Sequence, residues 1–595
     1  MILGLTGCPT STGDDDRPNY SAQHGQSPRT IITTDPEGDD KNSMIHALLY
    51  ANDMNIVGLV YSASRWHTRG DSTHPALRWS TKSEDYREEG FGEVMRLDSD
   101  RQYWHIDRAV EAYAQVYDNL NVHDSDYPSP DYLRSIIKIG NIDVAGDISK
   151  DSEGARYIAD MLNGLYDQNT AETEGKIYIQ VWGGLNTAAR ALKDVEDAHS
   201  GSADWAERKK TIIDNTVFLS YADQEGSSVV PGGMGQPSNL IWAGSSYDNY
   251  VKDTWTYTDD NGVHAITWRD CQGMWGYGCT GAIVAEDAYL ITPHYNKAYI
   301  KDIGPLGELY WFRGDYTFIA GILDLLQGES GGWVSPVTQA DMDRINGYIN
   351  ELPENEISIP SGWGGGVSLP LAIPTNFQTP YSYASEGDST AFATMIDNGL
   401  RNWEDPTWGG WGGRQTEYPS LPGFWTNTTS AESTFQPAPS APPPPVGGWG
   451  TPADQRSMSR WFGWAWRDFL NRMQWTVNSR YSRANHEPVV NIKEGIDLTA
   501  QAGQMVTLTM DAYDPDGDSL TLSWWEYPEA DTYGGIGATD AVGAGISGFG
   551  DSIVFTVPAD AQPGETIHVI AQVKDSAPDP FTCMRWQRVV ITVVE

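Results

Sequence analysis

The sequence is poor in cysteine and in basic residues, and it lacks any long hydrophobic run. Its 595 residues include four cysteines, and 39 Lys and Arg residues stand against 81 Asp and Glu residues, for a formal net charge of −42 at pH 7. An acidic field of this size repels nucleic acid and anionic membrane surfaces, so a nucleic-acid partner is disfavoured. Because no run is long and apolar enough to cross a bilayer, the sequence predicts no transmembrane segment.

The few cysteines restrict the chemistry further. No Cys-x-x-Cys pair occurs, so a zinc site or a redox site built on such a pair has no support. Cys271 and Cys279 enclose a Gly-rich aromatic loop, and they form either a short disulfide in an oxidising compartment or two buried thiols.

The fourth residue of the tetrapeptide LTGC near the N-terminus is Cys8. The tetrapeptide fits a bacterial lipoprotein cleavage box, in which Cys8 would carry the lipid. The apolar stretch before it is short and has no basic start, so the alternative is an accidental match in a polar leader. We interpret residues 1–28 as leader and tether, and we expect a bacterial protein that is secreted or anchored to the outer surface as a lipoprotein.

Tryptophan, by contrast, is abundant, with 24 residues. Flat indole rings stack on sugar rings, although most indoles in any protein fill its core. A strongly acidic surface suits a secreted protein that faces neutral polymers. Together the two features favour a carbohydrate partner.

Strands alternate with helices in the first part of the chain. The segments with the pattern of buried strands are RTIITT (29–34), NIVGLVYS (55–62), IYIQVW (177–182) and NTVFLSY (215–221). Segments with helical spacing of apolar residues follow them, at 42–53, 103–120, 152–166 and 185–194. This rhythm predicts an α/β domain with a largely parallel sheet covered by helices.

Two stretches interrupt that domain, which we place at residues 29–485. Residues 327–385 and 419–452 are rich in Gly, Pro and Ser and are predicted to be insertions. The aromatic helix predicted at 459–475 needs a large partner surface, so we assign it to the first domain. From residue 486 the pattern changes to short alternating strands separated by turn signals, which predicts an antiparallel β-sandwich over 486–595.

Within that second domain, the turn DPDGDSL (514–520) contains Asp514, Asp516 and Asp518. These side chains either hold Ca²⁺ or form a hydrogen-bonded Asx turn. Trp524 in the following strand is predicted to be a core residue.

The stretch TTDPEGDD (33–40) carries the strongest functional signal. It places Asp35, Asp39 and Asp40 directly after a buried strand and before a helix, which is the layout of an α/β ligand site. Three carboxylates this close repel one another unless a cation or protons neutralise them, and a hard cation such as Ca²⁺ or Mg²⁺ prefers such oxygen ligands. The alternative is a solvated acidic turn that caps the helix.

TTDPEGDD resembles the DTDPGxDD signature of the nucleoside hydrolases, calcium-dependent enzymes that cleave glycosidic bonds of nucleosides. Further blocks in the same order are DDKNSMIHALLYANDMNIVGLVYSAS, VWGGLNTAARAL, SYADQEGS, EGDSTAF and NGLRNWEDPTWGGWGGR. Together they resemble a bacterial family of cellulose-binding proteins with a nucleoside-hydrolase-like domain and a C-terminal immunoglobulin- or cadherin-like domain. The resemblance implies a Rossmann-like fold with helices on both faces of a mostly parallel sheet, plus a C-terminal antiparallel β-sandwich.

The resemblance also implies roles for individual residues. Asp35 would be the catalytic base and a Ca²⁺ ligand, Asp40 the second ligand, and Asp39 a contact to a sugar hydroxyl. The main-chain carbonyl of Asn186, in the turn WGGLNT, would be the third ligand, unless this turn merely caps a helix. Asp388 in EGDSTAF would be the last ligand, and it is preferred over Asp315 in RGDYTF because the block WGGWGGR follows it.

Two departures from the family pattern affect the chemistry. Thr33 and Glu37 replace the first Asp and the Gly of the signature, and Gly387 stands where nucleoside hydrolases often carry a histidine that serves the leaving group. Glu386 and His67 are the candidate replacements, each with a structural role as the alternative, and His67 is also a candidate substrate contact. No counterpart is found for the sugar-binding Asn of those enzymes.

These observations support a calcium-binding, hydrolase-like exported protein that binds or cleaves plant or algal polysaccharide fragments. Trp403, Trp408, Trp411 and Trp449 are the predicted sugar contacts. The alternatives are a non-catalytic carbohydrate-binding protein on a retired hydrolase fold, and a true nucleoside hydrolase.

Overall fold

The structure is a computed structural model that contains an α/β region followed by a β-sandwich region. The described residues are 27–35, 38–64, 67–73, 104–144, 146–220, 250–251, 254–271, 275–276, 290, 293–310, 312–313, 383–417, 422–427, 456–534 and 543–595. None of the helices in these ranges is long and apolar enough to cross a membrane.

An eight-stranded sheet forms the centre of the α/β region. The strands of the region are β1 (Arg29–Thr34), β2 (Asn55–Tyr61), β3 (Ile137–Ile139), β4 (Ile177–Val181), β5 (Thr216–Ser220), β6 (Thr256–Asp259), β7 (Gly262–Ala265), β8 (Thr267–Asp270), β9 (Trp275–Gly276), β10 (Phe312–Arg313), β11 (Tyr383–Glu386), β12 (Gln415–Glu417) and β13 (Phe424–Asn427). The large sheet has the order β12-β13-β8-β5-β4-β1-β2-β3. All its neighbours pair in parallel except β12 and β13, so the predicted, mostly parallel sheet is confirmed.

Helices cover both faces of this sheet. They are α1 (Gly38–Leu48), α2 (His105–His123), α3 (Pro130–Ser135), α4 (Glu153–Asp167), α5 (Thr170–Thr173), α6 (Asn186–His199), α7 (Trp205–Asp214), α8 (Pro293–Asn296), α9 (Gly304–Leu309), α10 (Ser389–Met395) and α11 (Arg456–Trp475). Neighbouring side chains of a strand point to opposite faces. Accordingly, Ile31 of β1 packs in a core with α4 and α6, whereas Ile32 packs in a second core with α1, α2 and α11.

Several boundaries differ from the sequence prediction, among them the following three. Helix α1 begins at Gly38 and not at residue 42, because carboxylates are favourable in the first turn of a helix and the acidic motif therefore joins it. Strand β13 lies within the segment 419–452 that was predicted to be an insertion, and it pairs in parallel with β8. Residues 383–385 of the other predicted insertion belong to β11; residues 327–382, 419–421 and 428–452 lie outside the described residues.

The second region consists of two packed sheets. Its strands are β14 (Val489–Ile492), β15 (Asp497–Gln501), β16 (Met505–Tyr513), β17 (Thr521–Glu526), β18 (Ser547–Phe549), β19 (Ser552–Thr556), β20 (Thr566–Lys574) and β21 (Met584–Val594). One sheet has the order β14-β16-β19 and the other β15-β21-β20-β17-β18, and one hydrophobic core includes residues of both. The pairs are antiparallel, as predicted, apart from β15 with β21. Trp524 is 2% exposed in this core, which confirms its prediction.

The acidic turn 514–518 forms a hydrogen-bonded turn. The Oδ1 atom of Asp514 accepts hydrogen bonds from the backbone N–H groups of Asp516 (2.8 Å) and Asp518 (3.0 Å). The carboxylate of Asp516 accepts a hydrogen bond from the N–H of His486 (2.7 Å), so the turn also holds the segment that joins the two regions.

Buried ion pairs connect the two regions. Arg472 of α11 contacts Asp53 (2.5 Å) and Glu487 (3.1 Å), and Arg585 of β21 contacts Glu487 (2.8 Å) and Asp468 (3.2 Å). Each of these five side chains is at most 8% exposed. Burial alone would raise the pKa of Glu487, but the charges of Arg585 and Arg472 outweigh it and lower the pKa to about 2. We call this group of five residues the junction cluster.

The junction cluster makes Arg472 the most sensitive position at the boundary between the regions. Replacing Arg472 with Leu would leave buried carboxylates without their cation, which typically costs about 3–5 kcal/mol. We expect the Arg472→Leu protein to unfold at lower urea concentration by about that free energy. The control is Arg480→Leu, since Arg480 is exposed eight residues further along the chain. Equal stability of the two variants would contradict the assigned role of the cluster.

Candidate functional site

The acidic motif lies at the carboxyl edge of the large sheet, where β1 meets α1. Asp35 follows β1 and is 1% exposed, and Asp40 lies in the first turn of α1 and is 2% exposed. The hydroxyl of Thr34 donates a 2.6 Å hydrogen bond to the Oδ1 atom of Asp40. The structure therefore brings Asp35 and Asp40 to one buried location, as the motif predicts. The side chain of Asp39 is not among the described ones, so its predicted sugar contact remains a prediction.

His67 lies directly beside Asp35. Its Nδ1 atom is 3.5 Å from the Oδ2 atom of Asp35, and its side chain is 8% exposed. His67 follows β2, the neighbour of β1 in the sheet, and so reaches the same edge. Of the two candidates for the leaving-group acid, His67 is thus the one that contacts the predicted base.

Glu386, the other candidate, is held in a separate buried network. Its carboxylate is 2.8 Å from the Nδ1 atom of His46 and accepts hydrogen bonds from the hydroxyls of Tyr310 and Ser389. Both Glu386 and His46 are 0% exposed. Burial, together with the Glu386 charge, raises the pKa of Tyr310 far above its ordinary value, so the tyrosine remains a hydrogen-bond donor. These contacts support the structural alternative for Glu386.

The network positions the turn that contains Asp388. Asp388 is the residue before α10, and it is 3% exposed. Its backbone N–H donates a 3.4 Å hydrogen bond to the hydroxyl of Ser43 in α1. The turn that contains Asp388 therefore packs on α1, the helix that also contains Asp40. Asp315 lies outside the described residues.

The turn WGGLNT has a packing role at the site that the sequence analysis did not predict. A Cβ atom at Gly183 would lie 2.9 Å from both the Cβ and the backbone nitrogen of Asp35. The backbone of Trp182 also donates a hydrogen bond to the carbonyl of Thr33 (2.8 Å). Only glycine allows this close approach, so the turn has a packing role beside Asp35 in addition to preceding α6.

Asn186, the first residue of α6, lies at the same edge. Its side-chain oxygen accepts a hydrogen bond from Ser62 (3.0 Å), and its Nδ2 atom donates to the carbonyl of Asn141 (2.6 Å). The side chain is therefore committed to holding the loops after β2 and β3. The proposed ligand role belongs to the main-chain carbonyl of Asn186 and remains a prediction.

His105 is a site residue that the sequence analysis missed. It begins α2, is 2% exposed, and its Nε2 atom lies 3.2 Å from the hydroxyl of Thr34. Because that hydroxyl donates to Asp40, we assign Nε2 as protonated and donating to Thr34. Burial is the main cause that lowers the pKa of His105 to about 3; the nearby Asp35 opposes this shift, and Lys41 and His67 add to it. His105 is therefore a neutral imidazole at neutral pH.

Lys41 is the second missed residue. It directly follows Asp40 in α1, is 4% exposed, and lies close enough to influence the pKa of His105. Buried lysines are rare unless they are paired, so its position next to the acidic residues is informative. The only sequence signal was its place within the motif block DDKNS.

The donor set at this edge suits a hard cation by chemistry. Three buried carboxylates, Asp35, Asp40 and Asp388, offer the oxygen ligands that Ca²⁺ prefers. Among the described residues, however, three acidic side chains whose oxygens all lie within 4.8 Å of one another occur at Asp514, Asp518 and Asp575, and not at this edge. The structure therefore supplies the ligand types without drawing the three carboxylates into a compact group.

The structure corrects one of the predicted sugar contacts, Trp411. Trp411 is 1% exposed and packs between Tyr50 and Trp586, at ring distances of 6.0 and 6.2 Å, so it is a core residue. Trp408 lies between the two regions, with the guanidinium groups of Arg401 and Arg588 at 4.9 and 5.6 Å from its ring. Its indole is partly buried and engaged in these cation–π contacts, and its sugar contact stays a prediction.

The remaining predictions concern two further tryptophans and the cysteines, and they stay predictions. Trp403 is partly buried against the main core. Trp449, Cys8 and Cys279 lie outside the described residues, and so does the pairing of Cys279 with the buried Cys271.

Comparisons with known proteins agree with this architecture. A family model described as "Cellulose-binding Sde182, nucleoside hydrolase-like domain" matches residues 29–415, and one described as "Cellulose-binding protein Sde0182, C-terminal domain" matches residues 505–593. A solved structure of a nucleoside hydrolase-related hypothetical protein from Saccharophagus degradans, associated with carbohydrate metabolism, is 21% identical with a TM-score of 0.54. The similarity covers 95% of this chain and 99% of that chain, and it confirms the predicted fold. No curated protein matches the chain.

The contact between Gly183 and Asp35 generates a test of the site's packing. In Gly183→Ala the added methyl group must displace the backbone at Asp35, and overpacking of this kind costs about 1–3 kcal/mol. We expect a lower free energy of unfolding by that amount in chemical denaturation. Gly201→Ala is the control, since a Cβ atom there meets nothing within 4 Å. If both variants are equally stable, the close approach of Gly183 is wrong.

Proposed function

This chain belongs to the cellulose-binding Sde182 family with a nucleoside hydrolase-like domain, and from that membership and its buried acidic site we propose that it is an exported, calcium-dependent hydrolase of glycosidic bonds in plant or algal polysaccharide fragments. The observation that carries the proposal is the pair Asp35 and His67, 3.5 Å apart, beside Asp40. Hydrolysis of a glycosidic bond needs a base for water, a proton for the leaving group and negative charge near an oxocarbenium-like transition state.

The residues present can be matched to these needs. Asp35 accepts the proton of the attacking water as general base. Thr34 holds the Asp40 carboxylate, and the neutral His105 holds Thr34, so the orientation of Asp40 is fixed through two hydrogen bonds. His67, as the imidazole nearest to Asp35, is the group that returns a proton to the leaving oxygen or nitrogen.

A bound Ca²⁺ would supply positive charge that polarises the water and the sugar hydroxyls. Asp35, Asp40 and Asp388 are the side chains that would hold it, with the carbonyl of Asn186 as the ligand that the family resemblance implies. The low exposure of the three carboxylates supports this assignment, because a buried carboxylate is costly without a counter-charge.

A second candidate function is carbohydrate binding without catalysis. It is favoured by the buried Lys41, whose ammonium group supplies positive charge within the acidic site. A lysine in this position can stabilise the carboxylates without a metal ion, as expected of a hydrolase fold that has lost its activity.

A product screen distinguishes the two functions. Calcium-loaded protein would be incubated with nucleosides, cello-oligosaccharides and mixed plant oligosaccharides, and products identified by mass spectrometry. We expect Asp35→Asn to lower product formation about 10²–10⁴-fold, the usual contribution of a general base. Asp131→Asn is the control, because the side chain of Asp131 is 94% exposed. Products that form equally in wild type and Asp35→Asn would overturn the catalytic assignment, and glycan binding without products would favour the second candidate.

Calcium binding is tested separately from activity. We expect Asp40→Asn to weaken Ca²⁺ binding at this site because it removes a charged oxygen ligand, measured by isothermal titration calorimetry and by calcium content after dialysis. Asp131→Asn should retain the wild-type affinity. An unchanged calcium content in Asp40→Asn would show that the acidic edge is not the calcium site.

A further inference from the structure

A tryptophan-lined cavity lies between α11 and the β-sandwich region. Its volume is about 170 Å³, and its lining residues are Trp461, Trp464, Trp525, Gln572 and Trp586. Four of the five are tryptophans, which is far above their share of the chain. We call this feature the indole groove.

The spacing of the tryptophans along α11 and β17 explains why their indole rings face the same cavity. Trp461 and Trp464 are three residues apart on α11 and therefore lie on the same face of the helix. On β17, Trp524 points into the sandwich core and its neighbour Trp525 points to the opposite face, toward α11. Trp464 and Trp525 are only partly buried, whereas Trp461 and Trp586 are 1% and 2% exposed, so a ligand would reach the first two rings first.

Gln572 fixes two of the rings. Its Oε1 atom accepts hydrogen bonds from the Nε1 atoms of Trp525 (3.2 Å) and Trp586 (3.1 Å), and its Nε2 atom donates to Ser523 (3.3 Å). One amide thus satisfies two indole N–H groups and is itself oriented by a hydroxyl. Rings held in this way lose little conformational entropy when a ligand binds, so the groove is pre-organised.

Polar groups lie at the edge of the groove. The guanidinium of Arg467 is 4.9 Å from the centre of the Trp464 ring, and the ammonium of Lys574 is 6.0 Å from it. Arg467 is already paired with Asp579 at 2.9 Å. None of the five lining residues is acidic, although the chain as a whole has a net charge of −42. The groove therefore differs in charge from most of the protein.

We propose that the indole groove is a binding site for one unit of a chain of neutral β-linked pyranose sugars, such as a cellulose fragment. The proposal deepens the proposed carbohydrate function and rests on it. A pyranose with equatorial hydroxyls has apolar C–H faces that pack on indole rings, while its rim of hydroxyls requires hydrogen-bond partners such as Lys574. The volume lies below the roughly 300–1,000 Å³ of pockets that enclose a whole ligand, which suits a single unit of a longer chain.

The test compares full-length variants without added calcium, so that the proposed hydrolysis does not consume the ligand. Binding of cellohexaose is measured by isothermal titration calorimetry, and binding to microcrystalline cellulose by pull-down. We expect Trp464→Ala and Trp525→Ala each to weaken binding at least about tenfold, as for other aromatic anchors of an interface. Trp205→Ala is the matched control, because Trp205 is likewise partly buried but lies on α7.

Further measurements separate the groove from the acidic site and from folding. Trp525→Phe keeps an aromatic face and should retain most of the affinity. If Trp525→Phe loses both binding and thermal stability, the role of Trp525 is structural only. Asp131→Asn, at a side chain that is 94% exposed on α3, should bind cellohexaose like the wild type. If the wild type binds the glycan and Trp464→Ala binds equally well, the groove assignment is wrong while the proposed function stands. If the wild type binds neither cellohexaose nor cellulose, and acidic oligogalacturonate binds instead, the proposal of a neutral glucan is overturned.

Discussion

The buried ion pairs of the junction cluster are the interaction on which the arrangement of this protein depends. Arg472 contacts Asp53 and also donates hydrogen bonds to the carbonyl of Leu49 (2.9 Å) and to Asn52 (2.7 Å), just beyond the C-terminal end of α1. The N-terminal end of the same helix contains Asp40. The position of the acidic edge is therefore set partly by a contact with α11, the helix that also lines the indole groove. A cluster that is expensive to leave unpaired specifies one way of docking the two regions.

The close approach of backbone at the junction supports the same conclusion. The N–H of Arg588 donates a 2.9 Å hydrogen bond to the carbonyl of Gly399, and a Cβ atom at Gly399 would lie 1.8 Å from the carbonyl oxygen of Trp586. Around this contact, Trp411 packs against Tyr50 on one side and Trp586 on the other. The α/β region and the β-sandwich thus share one core, and many of the tryptophans that suggested sugar binding are needed to build it.

Local patterns predicted much of the fold and part of the site. The strands β1, β2, β4 and β5 lie where the residue pattern predicted them. Each is a short run of buried residues that can be recognised from the local sequence without tertiary information. The positions of Asp35 and Asp40 followed from the motif. His105 could not be predicted, since it reaches Thr34 from 71 residues away and its role depends on tertiary packing. The prediction for Trp411 was wrong for the same reason. The exposure of a side chain depends on tertiary packing, which residue composition does not determine.

The charge balance at the acidic edge is the physical basis of the proposed divalent-cation site. Among the described side chains of this edge, three formal negative charges (Asp35, Asp40 and Asp388) and one positive charge (Lys41) leave a surplus of two negative charges, with His105 neutral. Desolvated carboxylates repel one another strongly, so a fold that keeps them 1–3% exposed must compensate the surplus or lose stability. Lys41 provides part of that compensation from within the chain itself. A divalent ion would supply the rest, and its binding would relieve the repulsion between the buried carboxylates that remains after folding.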